Sequence, residues 1–313
     1  MPGASLQLPA AALCTDGGLM TGIGIFFGVG AFLMGLVIGS FLNVCIYRMP
    51  REESLVYPPS HCPRCYQPIK AEDNIPIISW MLLRGRCRSC GERISPVYPA
   101  VELFTGILFA FYYWRFIRHY VPTLHELPET GFVVRMGALY IVHMGFISAL
   151  LVATFIDFKY MIIPDEISIG GTFVAVLASF VFPEIHQSAL VAGRPHLSGL
   201  ISSLAGAGAG AAVVYGIGLL GKAALRKEAM GFGDVKLMAM IGAFLGWQLV
   251  IFVLFFSALL GTLYGIVHLA VTGHSRIPYG PFLSLAAVIS LIFRAEVTLF
   301  LNNMIANYRF LLG

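Results

Sequence analysis

Eight stretches of this chain are apolar and almost free of charge, and nothing else in the sequence constrains its fold as much. They run over 22–47, 100–114, 137–156, 167–182, 197–221, 235–246, 249–272 and 281–301. About 20 apolar residues cross a bilayer core as a helix. The stretch from Val235 to Thr272 is too long for one crossing and is expected to break near Gly246-Trp247-Gln248. The predicted fold is therefore an all-α membrane protein, a polytopic bundle of about eight transmembrane helices carrying one polar insert. Only 12% of residues are charged and 58% are hydrophobic, against about 25% charged in soluble domains. Disorder, collagen and small disulfide scaffolds are excluded on the same grounds. The net charge of +4 sits in short loops rather than on a continuous basic face, so the lipid bilayer is the expected surrounding and nucleic acid is not an expected partner.

Residues 1–21 include Asp16 and no basic start, so they read as a lead-in rather than a cleaved signal, and the helix over 22–47 stays in the mature protein. Basic residues collect on the cytoplasmic side of membrane proteins. With segment 48–99 placed in the cytoplasm, that segment and the later loops on its side hold 14 of the 20 Lys and Arg residues. Both termini then fall outside, with Arg115 and Arg118 against the trend. The expected organisation is a lead-in over 1–21, a first helix over 22–47, a cytoplasmic insert over 48–99 and a membrane core over 100–313.

The insert carries Cys62-Pro63-Arg64-Cys65 and Cys87-Arg88-Ser89-Cys90, two CxxC pairs 21 residues apart. Each pair presents two thiolates to one ion, and two pairs close a tetrahedral four-sulfur site with no position open for catalysis, as in a zinc ribbon. Structural zinc on Cys62, Cys65, Cys87 and Cys90 is the expectation. The alternatives are two disulfides, which a reducing cytoplasm disfavours, or four free thiols. Cys14 and Cys45 are left over, and Cys45 reads as an ordinary buried small residue.

Carboxylates in or beside membrane spans are costly and therefore informative. Glu102 opens the second apolar stretch, Asp157 ends the third, Asp165 and Glu166 open the fourth, Asp234 opens the sixth, and Glu296 lies in the eighth. In the inferred topology Asp157 and Asp234 both fall at cytoplasmic ends and can meet at one depth. Asp234 sits in Gly231-Phe232-Gly233-Asp234-Val235-Lys236, where it could simply cap a helix. Asp165 follows Pro164 and is placed to cap the fourth helix. Asp157 has no such role open to it beyond a solvated loop position. Two carboxylates sharing a proton across one water are the parts of an aspartic hydrolase. No GxSxG or HExxH pattern competes.

Gly206-Ala207-Gly208-Ala209-Gly210-Ala211 matches a GxGxxA pattern in form, but lies inside an apolar stretch and reads as a surface for helix packing; Gly35 and Gly39 form a GxxxG of the same kind. His143 and His268, inside apolar stretches, read as packing or hydrogen-bonding residues.

Taken in order, Gly39-Ser40-Phe41-Leu42-Asn43-Val44 with Tyr47-Arg48-Met49-Pro50, the two CxxC pairs, Pro96-Val97-Tyr98-Pro99 before Val101-Glu102-Leu103, Asp157 with Ile163-Pro164-Asp165, and Gly231-Phe232-Gly233-Asp234-Val235-Lys236-Leu237 resemble the bacterial type IV prepilin peptidases. The resemblance runs over about 30–285. It implies an aspartic protease of the bacterial inner membrane that removes the short basic leader of prepilins and pseudopilins at the cytoplasmic face, then methylates the new N-terminal residue from S-adenosylmethionine. By motif, the catalytic pair falls on Asp157 and Asp234, with Gly231, Gly233, Lys236 and Asp165 in support, and the insert is associated with methylation. Asn43, Arg48 and Glu102 are candidates beside the insert, Arg48 equally as an interfacial anchor. Glu52, Glu53, Glu72, Asp73, Glu92 and Glu228 are available counter-charges for a basic leader. Two other readings stay open: a peptidase whose insert is only a zinc-stabilised docking module, and a carboxylate-dependent transporter using Asp157, Asp234 and Glu296.

Overall fold

A computed structural model describes residues 18–120, 130–186, 190–225, 231–273 and 277–312. Cys14, Asp16 and most of the lead-in, with Arg226, Lys227, Glu228 and Arg276, lie outside the described residues, as do the side chains of Arg118 and Arg309. The described chain forms ten α-helices: α1 Gly18–Arg48, α2 Ile78–Leu82, α3 Val97–Tyr120, α4 Thr130–Tyr160, α5 Asp165–Val181, α6 Pro195–Leu225, α7 Phe232–Leu245, α8 Trp247–Thr272, α9 Gly280–Ile292 and α10 Arg294–Leu312. Among these residues extended structure is limited to two isolated bridges in the insert.

Each apolar stretch is helical, as its composition requires, but the helices are unequal. α1, α3, α4, α6 and α8 are long and apolar enough to cross a membrane. α5 has 17 residues and α7 has 14, so at 1.5 Å per residue they extend about 26 and 21 Å, short of a hydrocarbon core of about 30 Å. The break foreseen near Gly246 is there, at a φ of 84° that an L side chain rarely adopts. The span expected over 281–301 is not one straight helix: α9 and α10 are apolar enough together to cross a membrane but meet at a 95° bend. The reason lies in Arg294, which is buried at the bend and donates to the carbonyls of Ile185 and Leu245. A charge enclosed at that depth needs such acceptors, and turning the chain at Phe293 brings it to them.

Two seams of small residues set the helix spacing. A Cβ at Gly39 of α1 would come 2.7 Å from the Cα of Glu102 in α3. A Cβ at Gly206 of α6 would come 2.0 Å from the Gly242 carbonyl of α7, and one at Gly242 would come 2.1 Å from the Gly206 carbonyl. Backbones therefore touch where side chains would hold them apart, and the glycine-rich run of α6 packs as expected. α7 is the centre of the bundle. Leu237, Met238, Met240, Ile241, Ala243, Phe244 and Leu245 are all buried, against α5, α6, α8 and α9, with Phe244 stacked on Phe146 of α4 at 4.2 Å. The outside is apolar: Phe26, Val37 and Phe41 on α1 and Phe255, Ile266 and Val267 on α8 are exposed, a surface that acyl chains solvate and water does not.

Candidate active site and cysteine centre

The ends of α4, α5, α7 and α9 converge on one face of the bundle. α4 closes at Tyr160, and the chain turns through Met161, whose φ of 54° is left-handed. Pro164, extended at φ −60° and ψ 140°, starts α5. Between them Ile163 packs against two glycines: its Cβ lies 3.4 Å from the Cβ position of Gly233, and its Cδ1 lies 3.2 Å from that of Gly280. Ile163 is thus the wedge around which the α7 and α9 starts are arranged. Asp157 lies one turn before the end of α4 and is buried. Its Oδ2 accepts the backbone N–H of Gly280 at 2.9 Å, a first-turn N–H of α9 that has no partner within its own helix. Asp234 is the third residue of α7, and its carboxylate accepts the N–H of Gly231. The two aspartates lie close enough for their charges to interact, and Asp234 also lies within electrostatic reach of Tyr279. Tyr279 is fixed by a 2.8 Å hydrogen bond between its hydroxyl and the Oγ of Ser257 on α8.

Capping explains part of this arrangement and leaves the rest. The position before α7 is Gly231, and Asp234 reaches back to it from the third position, half of a capping box. The cap expected of Asp165 is corrected. Pro164 holds the cap position of α5, and Asp165, inside the first turn, receives Lys236 Nζ at 2.6 Å instead. Lys236 thereby ties α7 to α5 beside the aspartates. Glu296 pairs with Arg115 in the first turn of α10, the far end of α9 from Gly280. The transporter reading needed Glu296 on a path with Asp157 and Asp234, and they sit at opposite ends of a helix.

The insert lies on the same face as the aspartates, since the Arg51 guanidinium at its root sits 5.8 Å from the Tyr160 ring at the end of α4. It holds two copies of one loop. In the first, Cys62 N–H donates to Gln67, Tyr66 N–H to Cys62, and His61 bridges Pro68; in the second, Cys87 N–H donates to Glu92, Gly91 N–H to Cys87, and Arg86 bridges Arg93. Tyr66 and Gly91 turn at matching positive φ values of 57° and 72°. The four Sγ atoms lie within 4.8 Å of one another, Cys62 and Cys90 at 3.9 Å. Four thiolates about 2.3 Å from one ion stand about 3.8 Å apart, so the donor set and its spacing fit a tetrahedral metal. Backbone N–H groups of Cys90 and Ser89 bring the Cys87 thiol down to about 7. Cys90, despite the N–H of Glu92, is pushed up to about 11 by desolvation and by the sulfurs around it.

Asn43, Arg48 and Glu102 are all buried and all hold the insert in place. Asn43 Nδ2 donates to the Tyr98 carbonyl at 3.1 Å, Arg48 donates to the carbonyls of Ser54 and Pro58 at 2.8 and 2.7 Å, and Glu102 Oε2 accepts the Ile77 N–H at 2.7 Å. Arg48 is therefore a loop organiser rather than an interfacial anchor. Of the insert's carboxylates, Glu72 meets Lys70, Asp73 meets Arg88 and Glu92 meets Arg64, whereas Glu52 and Glu53 are exposed. Ile163 stands in the sequence motif with Asp165 but without a role, and Tyr279, Gly280 and Ser257 carry no signal of their own there. The run Pro278-Tyr279-Gly280-Pro281, which opens the last apolar stretch, was the available signal. His143 bonds Tyr112 of α3 at 2.9 Å, and His268 stacks on Tyr264 at 5.6 Å, both packing roles as expected.

Residues 33–116 match the family described as bacterial peptidase A24 N-terminal domain, and residues 144–266 match the type IV leader peptidase family. A prepilin leader peptidase/N-methyltransferase of Aeromonas salmonicida is 32% identical over 299 residues, covering 85% of this chain and 91% of its own. Its counterpart in Pseudomonas aeruginosa is 30% identical over 298 residues, covering 87% and 92%. That of Myxococcus xanthus is 34% identical over 252 residues, covering 80% and 66%. The chain belongs to the type IV leader peptidase family. It is a multi-pass membrane protease, and the methyltransferase function stands in the names of its relatives. In this family member the four cysteines fall in the first matched region, and Asp157, Asp165 and Asp234 in the second. No solved structure matches the chain.

Proposed function

We propose that this enzyme removes the basic leader of prepilins and pseudopilins with Asp157 and Asp234 as its catalytic pair, and then methylates the exposed N-terminal residue from S-adenosylmethionine. The observation that carries the reading is that the Asp157 and Asp234 carboxylates lie within electrostatic reach of each other, with Asp157 held by the Gly280 N–H. An ionised carboxylate that accepts an N–H is stabilised as the anion. Asp157 and Asp234 each accept one such N–H, and as neighbouring like charges they share a proton: the ionised carboxylate takes a proton from water while its protonated partner polarises the scissile carbonyl and then protonates the leaving amine. The water oxygen bonds to the carbonyl carbon, the tetrahedral adduct collapses with loss of the C–N bond, and the two carboxyls end with their proton exchanged.

The chain sits in the bacterial inner membrane with 48–99 and the aspartate face in the cytoplasm, 22–47 as the first helix and 100–313 as the peptidase core. A prepilin, an apolar helix behind a charged leader, can lie among the spans while its cleavage site meets water at the interface. Glu52 and Glu53 are the exposed carboxylates that would meet the leader. Cys62, Cys65, Cys87 and Cys90 would hold zinc, which supplies a rigid cross-link and no reactive position. Asn43, Arg48 and Glu102 contribute to methylation by keeping the insert seated on α1 and α3.

The test is cleavage of a prepilin in lipid by Asp157→Asn, Asp234→Asn and Asp165→Asn variants with labelled methyl donor present. Loss of cleavage in the first two, retention in the third and methyl incorporation that follows cleavage are expected. Near-normal cleavage by either Asp157→Asn or Asp234→Asn removes the paired-carboxylate assignment. Cleavage without methylation by the unaltered enzyme leaves the insert as a docking module only.

A further inference from the structure

The insert presents a ridge of apolar side chains that neither the cysteine loops nor the aspartate site uses. Ile75, Ile78, Met81 and Leu82 are exposed along and just before α2, Met81 at 65% and Leu82 at 76%. Water is a poor neighbour for such a ridge. It is also held rigidly. Ser79, buried beneath it, accepts the Ile75 N–H and donates to the Glu72 carbonyl, both at 2.9 Å, while Trp80 Nε1 donates to Ile94 at 3.1 Å. Its place follows from the bond between Ile77 N–H and Glu102 Oε2. Glu102 lies in the second turn of α3 and its side chain slants back toward the helix start, so the segment leading into α2 is fastened to the first turns of a membrane-spanning helix. α3 itself carries exposed Leu103, Phe104 and Ile107. Exposed Arg84 and Arg86 follow the ridge directly.

We propose that the segment 75–86 is an interfacial anchor. Ile78, Met81 and Leu82 enter the boundary between headgroups and acyl chains beside α3, and Arg84 and Arg86 meet the phosphates of anionic headgroups. The occupant of this face is the lipid bilayer, because the segment is fastened through Glu102 to the first turns of a membrane-spanning helix and sets exposed apolar side chains beside exposed arginines. Apolar side chains at the headgroup boundary with basic residues beside them are how amphipathic segments lie on membranes, and each arginine adds attraction to an anionic surface. The anchor would pin the cysteine loops flat on the membrane, on the face where the aspartates open.

The experiment adds a tryptophan to the full chain as Met81→Trp, in bilayers of phosphatidylcholine with and without phosphatidylglycerol, using lipids brominated near the glycerol end or near the methyl end of the acyl chain. Emission of the parent protein, with its three native tryptophans, is subtracted. Loss of most of the added emission with shallow bromines, and much less with deep ones, is expected. Retained metal content and prepilin cleavage establish that the variant is folded, and Leu82→Trp serves where Met81→Trp does not fold. Added emission that no brominated lipid quenches overturns the proposal. So does quenching that a prepilin abolishes, which assigns the ridge to substrate, or quenching that depends on protein density, which assigns it to a second copy. An Arg84→Gln, Arg86→Gln pair is expected to lose the stronger quenching in phosphatidylglycerol, and an unchanged lipid preference removes the arginines from the anchor.

Discussion

Replacing Gly280 by alanine tests how tightly the aspartate site depends on backbone geometry. A Cβ at this position would stand 2.7 Å from Asp157 Oδ2, where ordinary contacts begin at 3.4 Å. If the oxygen yields, it must retreat by about 0.7 Å, taking the 2.9 Å bond from Gly280 N–H to about 3.6 Å, too long to count as a hydrogen bond. A hydrogen bond to a charged group contributes about 1.5–3 kcal/mol. At 1.36 kcal/mol per factor of ten in rate, the loss corresponds to roughly ten- to hundred-fold. Of the other two close atoms, Asp157 Cγ at 3.3 Å moves with its carboxylate and Ile163 Cδ1 at 3.2 Å is the tip of a side chain, so the fold should survive. Prepilin cleavage by Gly280→Ala in lipid should show a lower kcat with KM little changed, because the carboxylate acts on the reacting bond rather than on the membrane helix of the substrate. Gly137→Ala, where nothing lies within 4 Å, is the control and should cleave normally. A folded Gly280→Ala enzyme within about two-fold of the parent in kcat/KM would refute the claim that α9 aligns Asp157.

The α6–α7 seam should answer to which glycine is changed. Gly206→Ala forces a methyl to within 2.0 Å of the Gly242 carbonyl, whereas Gly208 has nothing within 4 Å; thermal unfolding in detergent should show about 1–3 kcal/mol lost in the first and up to about 1 kcal/mol gained in the second. The Lys236–Asp165 pair is partly exposed, at 26% and 57%, so a double-mutant cycle with Lys236→Gln and Asp165→Asn should give a coupling below about 1 kcal/mol. Metal removal by a chelator should loosen the loops around Cys62 and Cys87, read as faster amide exchange over 61–94, and leave α7 protected; restored protection on adding zinc completes the test. The carboxyl of Asp73 is held below the usual range by its hydrogen bonds from Arg88. The Asp73–Arg88 tie should therefore persist across neutral pH and be lost only as pH falls through that lowered value, seen as a shift in the Arg88 Nε resonance.

Composition and charge distribution carried most of the architecture. Runs such as 137–156 and 249–272 have the length of spanning helices, about twice that of a spanning strand, and the described chain has them as α4 and α8. The bend at Phe293 was not readable, because its cause is a contact between Arg294 and carbonyls 49 and 109 residues away. Local pattern cannot report such a contact. The same limit applied to Asp165, whose cap role was inferred from the neighbouring Pro164 and was displaced by Lys236, 71 residues along the chain. The cysteine centre is legible for the opposite reason: each CxxC loop is closed by bonds between residues no more than nine positions apart, so its geometry is written in adjacent sequence.

Asp157 and Asp234 stand out in the sequence because a carboxylate at a membrane boundary is conspicuous, whereas Gly280, which touches one of them, contributes only a backbone N–H and the absence of a side chain. The site needs both kinds of residue. α7 is too short to span the membrane alone and is wrapped by its neighbours, so Asp234 at its start is carried by a buried element that neither lipid nor water can reposition. α4 enters from the opposite surface and brings Asp157 to the same level one turn before its end. With Ile163 wedged between the starts of α7 and α9, a shift of either helix changes the separation of the carboxylates. Side chains in that wedge should therefore alter cleavage without touching substrate. Ile163→Ala, which removes the wedge and leaves every carboxylate and N–H donor in place, should lower kcat while metal content and methyl transfer to an already cleaved pilin stay unchanged. Cleavage at the parent rate by that variant would show that the two aspartates are positioned by α4 and α7 alone.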